Sequence, residues 1–324
     1  MTCCGLIGTI TADTIEIEDG RTLRAFRSVG GILYQAAALS GLGVPAALFS
    51  RCGGELRPEV EAVLGGRPDL DRRGLRFVPG PGNRVRLRYA GRSREREEIL
   101  ESVVPPLDPG PVLEALPGLD FLMMAFNSGF DIELADWRAV AGRASCPVWM
   151  DIHSLALEPR VGSRRGYRTV PEWEAWVEGA AYLQANRREA ACLVGRPDRE
   201  AGEAEIEELA RRAFRLGVRA VIVTLGRAGA AVSTPESVRR IPPAAAPVFV
   251  DPTGCGDVFA AAASAALLRG GTVFEAAEAG AALAARAAGV SGVHEIFGLA
   301  SRERESRRGP DRPPPSSAGG KGEK

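Results

Sequence analysis

The stretch Val250-Asp-Pro-Thr-Gly-Cys-Gly-Asp-Val-Phe-Ala-Ala-Ala-Ala-Ser-Ala-Ala-Leu-Leu268 decides how the rest of the chain is read. An apolar strand runs up to Val250. Pro252 cannot extend a ladder, so the strand stops there. An alanine-rich helix follows. Between them, Gly254 and Gly256 permit backbone conformations and close approaches that a side chain would block. The first turn of a helix leaves amide N–H groups unpaired at a positive dipole end, which is a ready site for an anion. The amides of Gly254, Cys255 and Gly256 are therefore candidates to hold a phosphoryl group. Asp257 would stand beside it. An acid that merely complements the helix dipole is worth about 0.3–1 kcal/mol, and that explains Asp257 without explaining two glycines. An acid next to an anion site is electrostatically odd unless it serves as a base.

Outward from this junction, strand-like and helix-like segments alternate. Residues 5–10 read as a buried strand, 31–43 as a helix closed by glycine, and 44–50 as the next strand. The rhythm continues with a strand at 121–126, a helix at 131–142, and strands at 147–152 and 180–185. A helix at 203–216, a strand at 219–225 and a helical pair over 257–289 complete it. The strands are apolar almost throughout, as in a parallel sheet covered on both faces. Residues 14–28 and 84–100 differ, because they alternate polar and apolar around Asp19-Gly20 and Ala90-Gly91. They predict antiparallel hairpins with one wet face, forming a small lid discontinuous in sequence. From about Ser301 the chain is charged and rich in Pro, Ser and Gly, which predicts a disordered tail over 301–324 after a domain spanning 1–300.

Composition excludes several chemistries. The 324 residues carry 41 basic and 41 acidic side chains, so no basic footprint for nucleic acid stands out. The only lysines are Lys321 and Lys324. The folded body has none to act as a Schiff-base amine or as a P-loop lysine. The six cysteines show no zinc spacing and read as reduced thiols. No apolar run is long enough for a bilayer and no signal peptide is read, so a cytoplasmic protein without membrane partner is expected. Gly41-Leu-Gly-Val-Pro-Ala46 matches a dinucleotide fingerprint but follows a helix and leads into a strand, so it reads as a helix C-cap. This counts against a Rossmann oxidoreductase.

The stretch DPTGCGD resembles the D-x-T-G-A-G-D signature of the ribokinase-like (PfkB) carbohydrate kinase family, with Cys255 where the family has alanine. The resemblance implies that Asp257 is the catalytic base and that Gly254, Cys255 and Gly256 form the anion hole. Cysteine is small enough to replace alanine and reads as a packed thiol, not a nucleophile. Asp13, just after the first strand, matches the family's sugar-hydroxyl aspartate. Gly30 and Gly31 match its Gly-Gly pair, and Gln35 stands where the family has asparagine. On the residues alone, Gly30-Gly31 could equally be a simple turn. Asn186 and Glu189 match an N-x-x-E motif that orders Mg²⁺ through water near the phosphates, and they also spell a helix capping box. Thr224, Gly226 and Gly229 match the turn that lies against ATP, and would also suit a glycine hairpin. Helix 277–289, rich in Ala and Gly, either leaves a slot for adenine or is a closely packed core helix.

The resemblance covers roughly residues 5–290. It implies a doubly wound, mostly parallel α/β fold with a small antiparallel β lid, and an ATP- and Mg²⁺-dependent transfer of phosphate to an alcohol group of a sugar or sugar-like molecule. The alternatives are a nucleoside kinase of the same fold and a kinase-fold binding or regulatory protein without activity, to which Gln35 gives some weight. A homodimer through the lid is the assembly the resemblance implies.

Overall fold

The computed structural model describes residues 3–19, 22–90, 95–245 and 249–308. Nine strands form the central sheet. In chain order they are β1 (Cys4–Ile7), β4 (Ala46–Gly53), β5 (Leu70–Val78), β8 (Phe121–Ala125), β9 (Val148–Asp151), β10 (Tyr182–Asn186), β11 (Ala220–Thr224), β12 (Ala230–Ser233) and β13 (Val238–Ile241). The spatial order is β13-β12-β11-β10-β9-β8-β1-β4-β5. All neighbours from β5 to β11 are parallel, and β12 and β13 add an antiparallel edge. β1 and β8 are buried at every position, which is why they read as continuous apolar runs.

Helices cover both faces. One face carries α1 (Ile32–Gly41), α2 (Arg57–Leu64), α8 (Cys255–Leu268), α9 (Val273–Ala287) and α10 (Val293–Arg308) over a core centred on Leu6, Leu48, Met123 and Ile222. The other carries α3 (Gly110–Ala115), α4 (Leu134–Ala141), α5 (Trp173–Val177), α6 (Arg187–Leu193) and α7 (Glu203–Phe214) over a core holding Trp137, Met150, Leu183 and Val221. The sheet order turns back at β1, between β4 and β8, as in a doubly wound sheet. Gly43 ends α1 at φ 75°, and the Val44 amide donates to the Leu39 carbonyl at 2.9 Å. That is the helix C-cap expected of Gly41–Ala46. The small residues of α9 serve close packing at Gly280, where a Cβ would meet the Phe259 carbonyl at 2.9 Å and its ring at 3.0 Å.

The lid is a separate four-stranded sheet in the order β3-β2-β6-β7, from β2 (Thr11–Asp19), β3 (Thr22–Val29), β6 (Asn83–Ala90) and β7 (Glu95–Ser102). Its two hairpins are antiparallel, and β2 joins β6 in parallel. The hairpin tips read at Asp19-Gly20 and Ala90-Gly91 extend into residues outside those described. The inward face of the lid buries Ile15, Ile17, Val85, Leu87, Tyr89 and Leu100. Its outward face carries ion pairs, Arg86 with Glu101 at 2.6 Å and Arg88 with Glu18 at 3.1 Å.

α10 corrects the boundary read at Ser301, because the helix continues to Arg308. Composition misleads here. Ile296, Phe297, Leu299 and Ala300 are buried against α1, and Glu303 is held by Arg286. One apolar turn before the charged run anchors it. Residues 309–324 lie outside the described residues. No described helix is long and apolar enough to cross a membrane.

Candidate active site

The carboxyl ends of β8 to β11 lie side by side, with Ala125 against Asp151, Asp151 against Gln184, and Asn186 against Thr224. The lid closes over them. Between the two is a cavity of about 200 Å³, lined among others by Asp13, Gly31, Asn186, Glu189, Thr224, Gly254, Gly256 and Asp257. Eight of the residues singled out from sequence thus face one space, at the edge where open α/β sheets bind ligands.

Gly254 takes φ 76° at the N-terminus of α8, and a Cβ there would come within 2.5 Å of the Tyr34 ring. The turn therefore requires glycine twice over, for its conformation and for its contact. Gly256 sits in the first turn, among the amides that a helix leaves unpaired. Cys255 departs from the expectation of three bare amides. Its amide donates to the Pro252 carbonyl at 3.2 Å, and its side chain does not line the cavity. Burial first, then Asp251 and Asp257, push its thiol up to about 12. It stays protonated and packed. Thr253 is held by its amide, which donates to Asp251 at 2.9 Å.

Asp257 is 8% exposed and receives two carboxamide donors on one oxygen, Gln35 at 3.3 Å and Asn127 at 3.4 Å. Gln35 is buried behind the carboxylate and does not line the cavity. Its extra methylene brings the amide to Asp257 from α1. Gly30 also lies off the cavity. A Cβ on it would sit 2.2 Å from the Asp13 carboxylate, and one on Gly31 (φ 63°) would sit 2.0 Å from the Thr9 carbonyl. The pair is a turn, and it is also what lets Asp13 lie against the backbone.

Asn186 and Glu189 form the capping box of α6. The Glu189 amide donates to the Asn186 side chain at 2.9 Å, and the Asn186 amide donates back to Glu189 at 2.7 Å. Both residues also line the cavity. Gly226 and Gly229 shape the β11–β12 turn, both at positive φ, and sit off the cavity. A Cβ on Gly229 would come within 2.0 Å of the Ile241 carbonyl.

Sequence reasoning passed over Glu98, Asn127, Asp151 and His153, all of which line the cavity. Asp151 ends β9 and accepts from Gln184 at 2.9 Å. Burial and then the charge of Glu189 hold its carboxyl well above the usual carboxylate range, against a pull from His153 and with a lesser push from Asp257. His153 has φ 32°, a left-handed conformation that costs a non-glycine residue about 1–3 kcal/mol, and its Nδ1 is 3.7 Å from Glu189. Burial and then Asp13, Asp251 and Asp257 raise the Tyr34 hydroxyl well above its ordinary value, a measure of how acidic the surroundings are. The only signal for Asn127, Asp151 and His153 in the sequence was position, at or just after a strand end, whereas Glu98 lies inside β7 opposite Leu87.

The oxygens of Asp151 and Glu189 suit a hard cation. Among the described residues no three His, Cys, Asp or Glu side chains are grouped so as to hold a metal ion. An ion here would keep most of its own water, as Mg²⁺ prefers.

Residues 157–296 match the pfkB family carbohydrate kinase model. No curated protein matches by sequence. Solved structures match the fold over most of the chain. An Arabidopsis thaliana ribokinase, solved with ribose and ATP, superposes with a TM-score of 0.69 at 19% identity, over 92% of this chain and 98% of its own. A Burkholderia thailandensis nucleoside kinase, solved with inosine, gives 0.69 at 19% identity over 95% and 98%. A pyrophosphate-dependent kinase of the ribokinase family gives 0.72 at 17% identity over 91% and 99%. The second half of the chain thus resembles the pfkB family carbohydrate kinases, and nearly the whole length has the ribokinase-like fold.

Proposed function

We propose that the protein transfers the γ-phosphoryl group of ATP to an alcohol of a sugar or sugar-like acceptor, with Asp257 as general base. The observation that carries this reading is the meeting of Asp257, Gly254 and Gly256 with Asp13 in one cavity. Complementing the α8 dipole is worth only about 0.3–1 kcal/mol, and a base role accounts for an acid placed beside an anion site.

In the proposed reaction Asp13 holds acceptor hydroxyls. The acceptor oxygen faces Asp257 and attacks phosphorus in line. Its proton passes to Asp257, the bond to the ADP oxygen breaks, and the phosphate ester and ADP leave. Gln35 and Asn127 donate to one oxygen of Asp257 and hold the orientation of its carboxylate. The amides at the start of α8 take the charge that accumulates on the transferring group, in a site shielded by the lid. Thr224, Gly226 and Gly229 form the turn assigned to the nucleotide. Mg²⁺, when bound through water at Asn186 and Glu189, would neutralise phosphate charge. Cys255 contributes small size only.

Support for ATP comes from relatives of this fold solved with ATP and ADP, in the ribokinases of A. thaliana and Cryptococcus neoformans. Pyrophosphate-dependent members share the fold, so the donor is tested with both. The test is phosphotransfer by wild type and Asp257→Asn. The variant should lose at least about 10³-fold in turnover, since proton transfer and base positioning are lost together, while ADP still binds. Turnover near wild type would sink the assignment of the base.

A further inference from the structure

Gln184 is a carboxamide in a core position. It lies on β10 in register with Asp151 on one side and Ile222 on the other, and Ile222 belongs to the core beneath α8. It is 2% exposed and lines the cavity. Its Nε2 donates to Asp151 at 2.9 Å and to the Gly256 carbonyl at 3.1 Å. A carbonyl oxygen only accepts, so the nitrogen end of the amide faces Gly256. The amide oxygen of Gln184 is buried and has no hydrogen-bond partner among the described residues. A buried polar atom without a partner costs about 1–3 kcal/mol, and an aliphatic residue beside Ile222 would avoid that cost. Core packing therefore does not account for a glutamine here. The contact with Gly256 does.

The Gly256 carbonyl belongs to the peptide that ends on the Asp257 nitrogen. A trans peptide is planar, with C=O and N–H pointing in opposite directions. Holding the carbonyl from the sheet therefore directs the N–H toward the N-terminal end of α8, and it fixes the backbone from which the Asp257 carboxylate projects. The amides on either side are committed within the turn. Cys255 donates to the Pro252 carbonyl at 3.2 Å, and Val258 to the Gly254 carbonyl at 2.9 Å. The Gly256–Asp257 peptide lies between them, and both of its residues line the cavity. Asp251 holds Thr253 and the Tyr34 ring packs on Gly254, so the first half of the turn is fixed by its own loop and by α1. Gln184 fixes the second half from the sheet.

On the reading that this site transfers phosphate, we propose that Gln184 is a positioning residue for the phosphoryl-holding turn. It aims the Gly256–Asp257 peptide so that the N–H meets the charge on the transferring group while the base stands beside it. Its action runs through that peptide and not through a contact with the phosphates. Donors stabilise developing charge best when they are fixed beforehand. The contribution of Gln184 is thus made in the transition state and not in nucleotide binding.

The test compares wild type with Gln184→Met, which fills similar space without a donor, in the full chain with Mg²⁺ in the buffer. Calorimetry measures the binding of ADP alone, of ADP with aluminium fluoride as a mimic of the transferring phosphoryl group, and of inorganic sulfate. ADP should bind both proteins within about twofold, since uniform binding is untouched. ADP with aluminium fluoride should bind the variant about 10–100-fold more weakly, short of the roughly 10²–10³-fold that loss of a whole oxyanion donor costs, because the amide remains and only its aim is lost. Sulfate should weaken in the same direction. On any acceptor that wild type phosphorylates, kcat should fall by the same factor with both KM values unchanged. Gln184→Asn keeps the amide but stops one methylene short of Gly256, and gives the same readout should the methionine variant fold poorly. A glutamine that merely packs would weaken ADP and the mimic equally, or neither, and either result overturns the inference. Wild type that binds neither the mimic nor sulfate overturns it too. Selective weakening of the mimic and sulfate in the variant, with no turnover by wild type on any acceptor, leaves the positioning role standing and defeats the kinase reading.

Discussion

Replacing Arg165 by methionine tests the joint between lid and body. The guanidinium is fully buried and bridges Glu98 on β7 to three carbonyls of the loops after β8 and β9. Methionine fills similar space without donors. The change leaves a carboxylate and three carbonyls buried without that partner. Breaking a buried ion pair from one side costs about 3–5 kcal/mol, and a lost partner for a buried carbonyl about 1–3 kcal/mol each before relaxation and water entry. These are not additive, and about 4 kcal/mol is the working figure. With an unfolding entropy of about 2.1 cal/mol/K per residue, the whole chain gives about 0.7 kcal/mol/K, so the melting temperature should fall by roughly 6 °C. Urea titration at neutral pH should show the same loss. The double variant Arg165→Met/Glu98→Leu removes both ions and should recover about half the loss or more, because the stranded charge is the larger part of the penalty. A single-variant loss under about 1 kcal/mol, or a double variant worse than the single, would refute the claim that the pair is buried and mutually dependent.

Asp151→Asn should cost nothing at pH 7 or stabilise the protein. Its folded pKa is raised above the unfolded value of about 3.9, so the folded state binds the proton more tightly and wild-type stability declines as pH rises from about 4 toward the folded pKa. The advantage of the variant should therefore grow with pH over that window in paired urea titrations, and a constant difference would contradict it. Gly254→Ala adds left-handed strain and a clash with Tyr34, together about 2–4 kcal/mol, read as a lowered urea midpoint; a shift below about 0.5 kcal/mol would show that the turn adapts. With its thiol near 12, Cys255 should resist iodoacetamide at pH 8 in the folded protein and tolerate alanine with phosphotransfer intact. Rapid labelling there, seen by peptide mass spectrometry, would contradict its burial.

The sequence by itself determined six of the nine central strands, β1, β4 and β8 to β11, because strands buried on both faces must be apolar throughout; β5, β12 and β13 were not read, and the edge strands β5 and β13 carry wet, arginine-bearing positions. It also determined the lid, through alternation at 14–28 and 84–100, and the glycine turn that opens α8; the strand expected to run up to Val250 is not there, since Phe249 and Val250 belong to no strand. Gly30-Gly31 was ambiguous as text; the approach of Asp13 to Gly30 resolves it, and that approach is a distance between strands. α10 escaped a compositional reading because its anchors are four apolar residues whose partners lie on α1. Only the tertiary structure decided that Gln35 and Asn127 hold Asp257 across 222 and 130 residues of sequence. Likewise, only it could show that Glu98 faces inward while Arg165 is wholly occupied. Local patterning records which face of an element is wet. It does not record which charged group from another element stands opposite, since a buried charge depends on a partner that can lie anywhere along the chain.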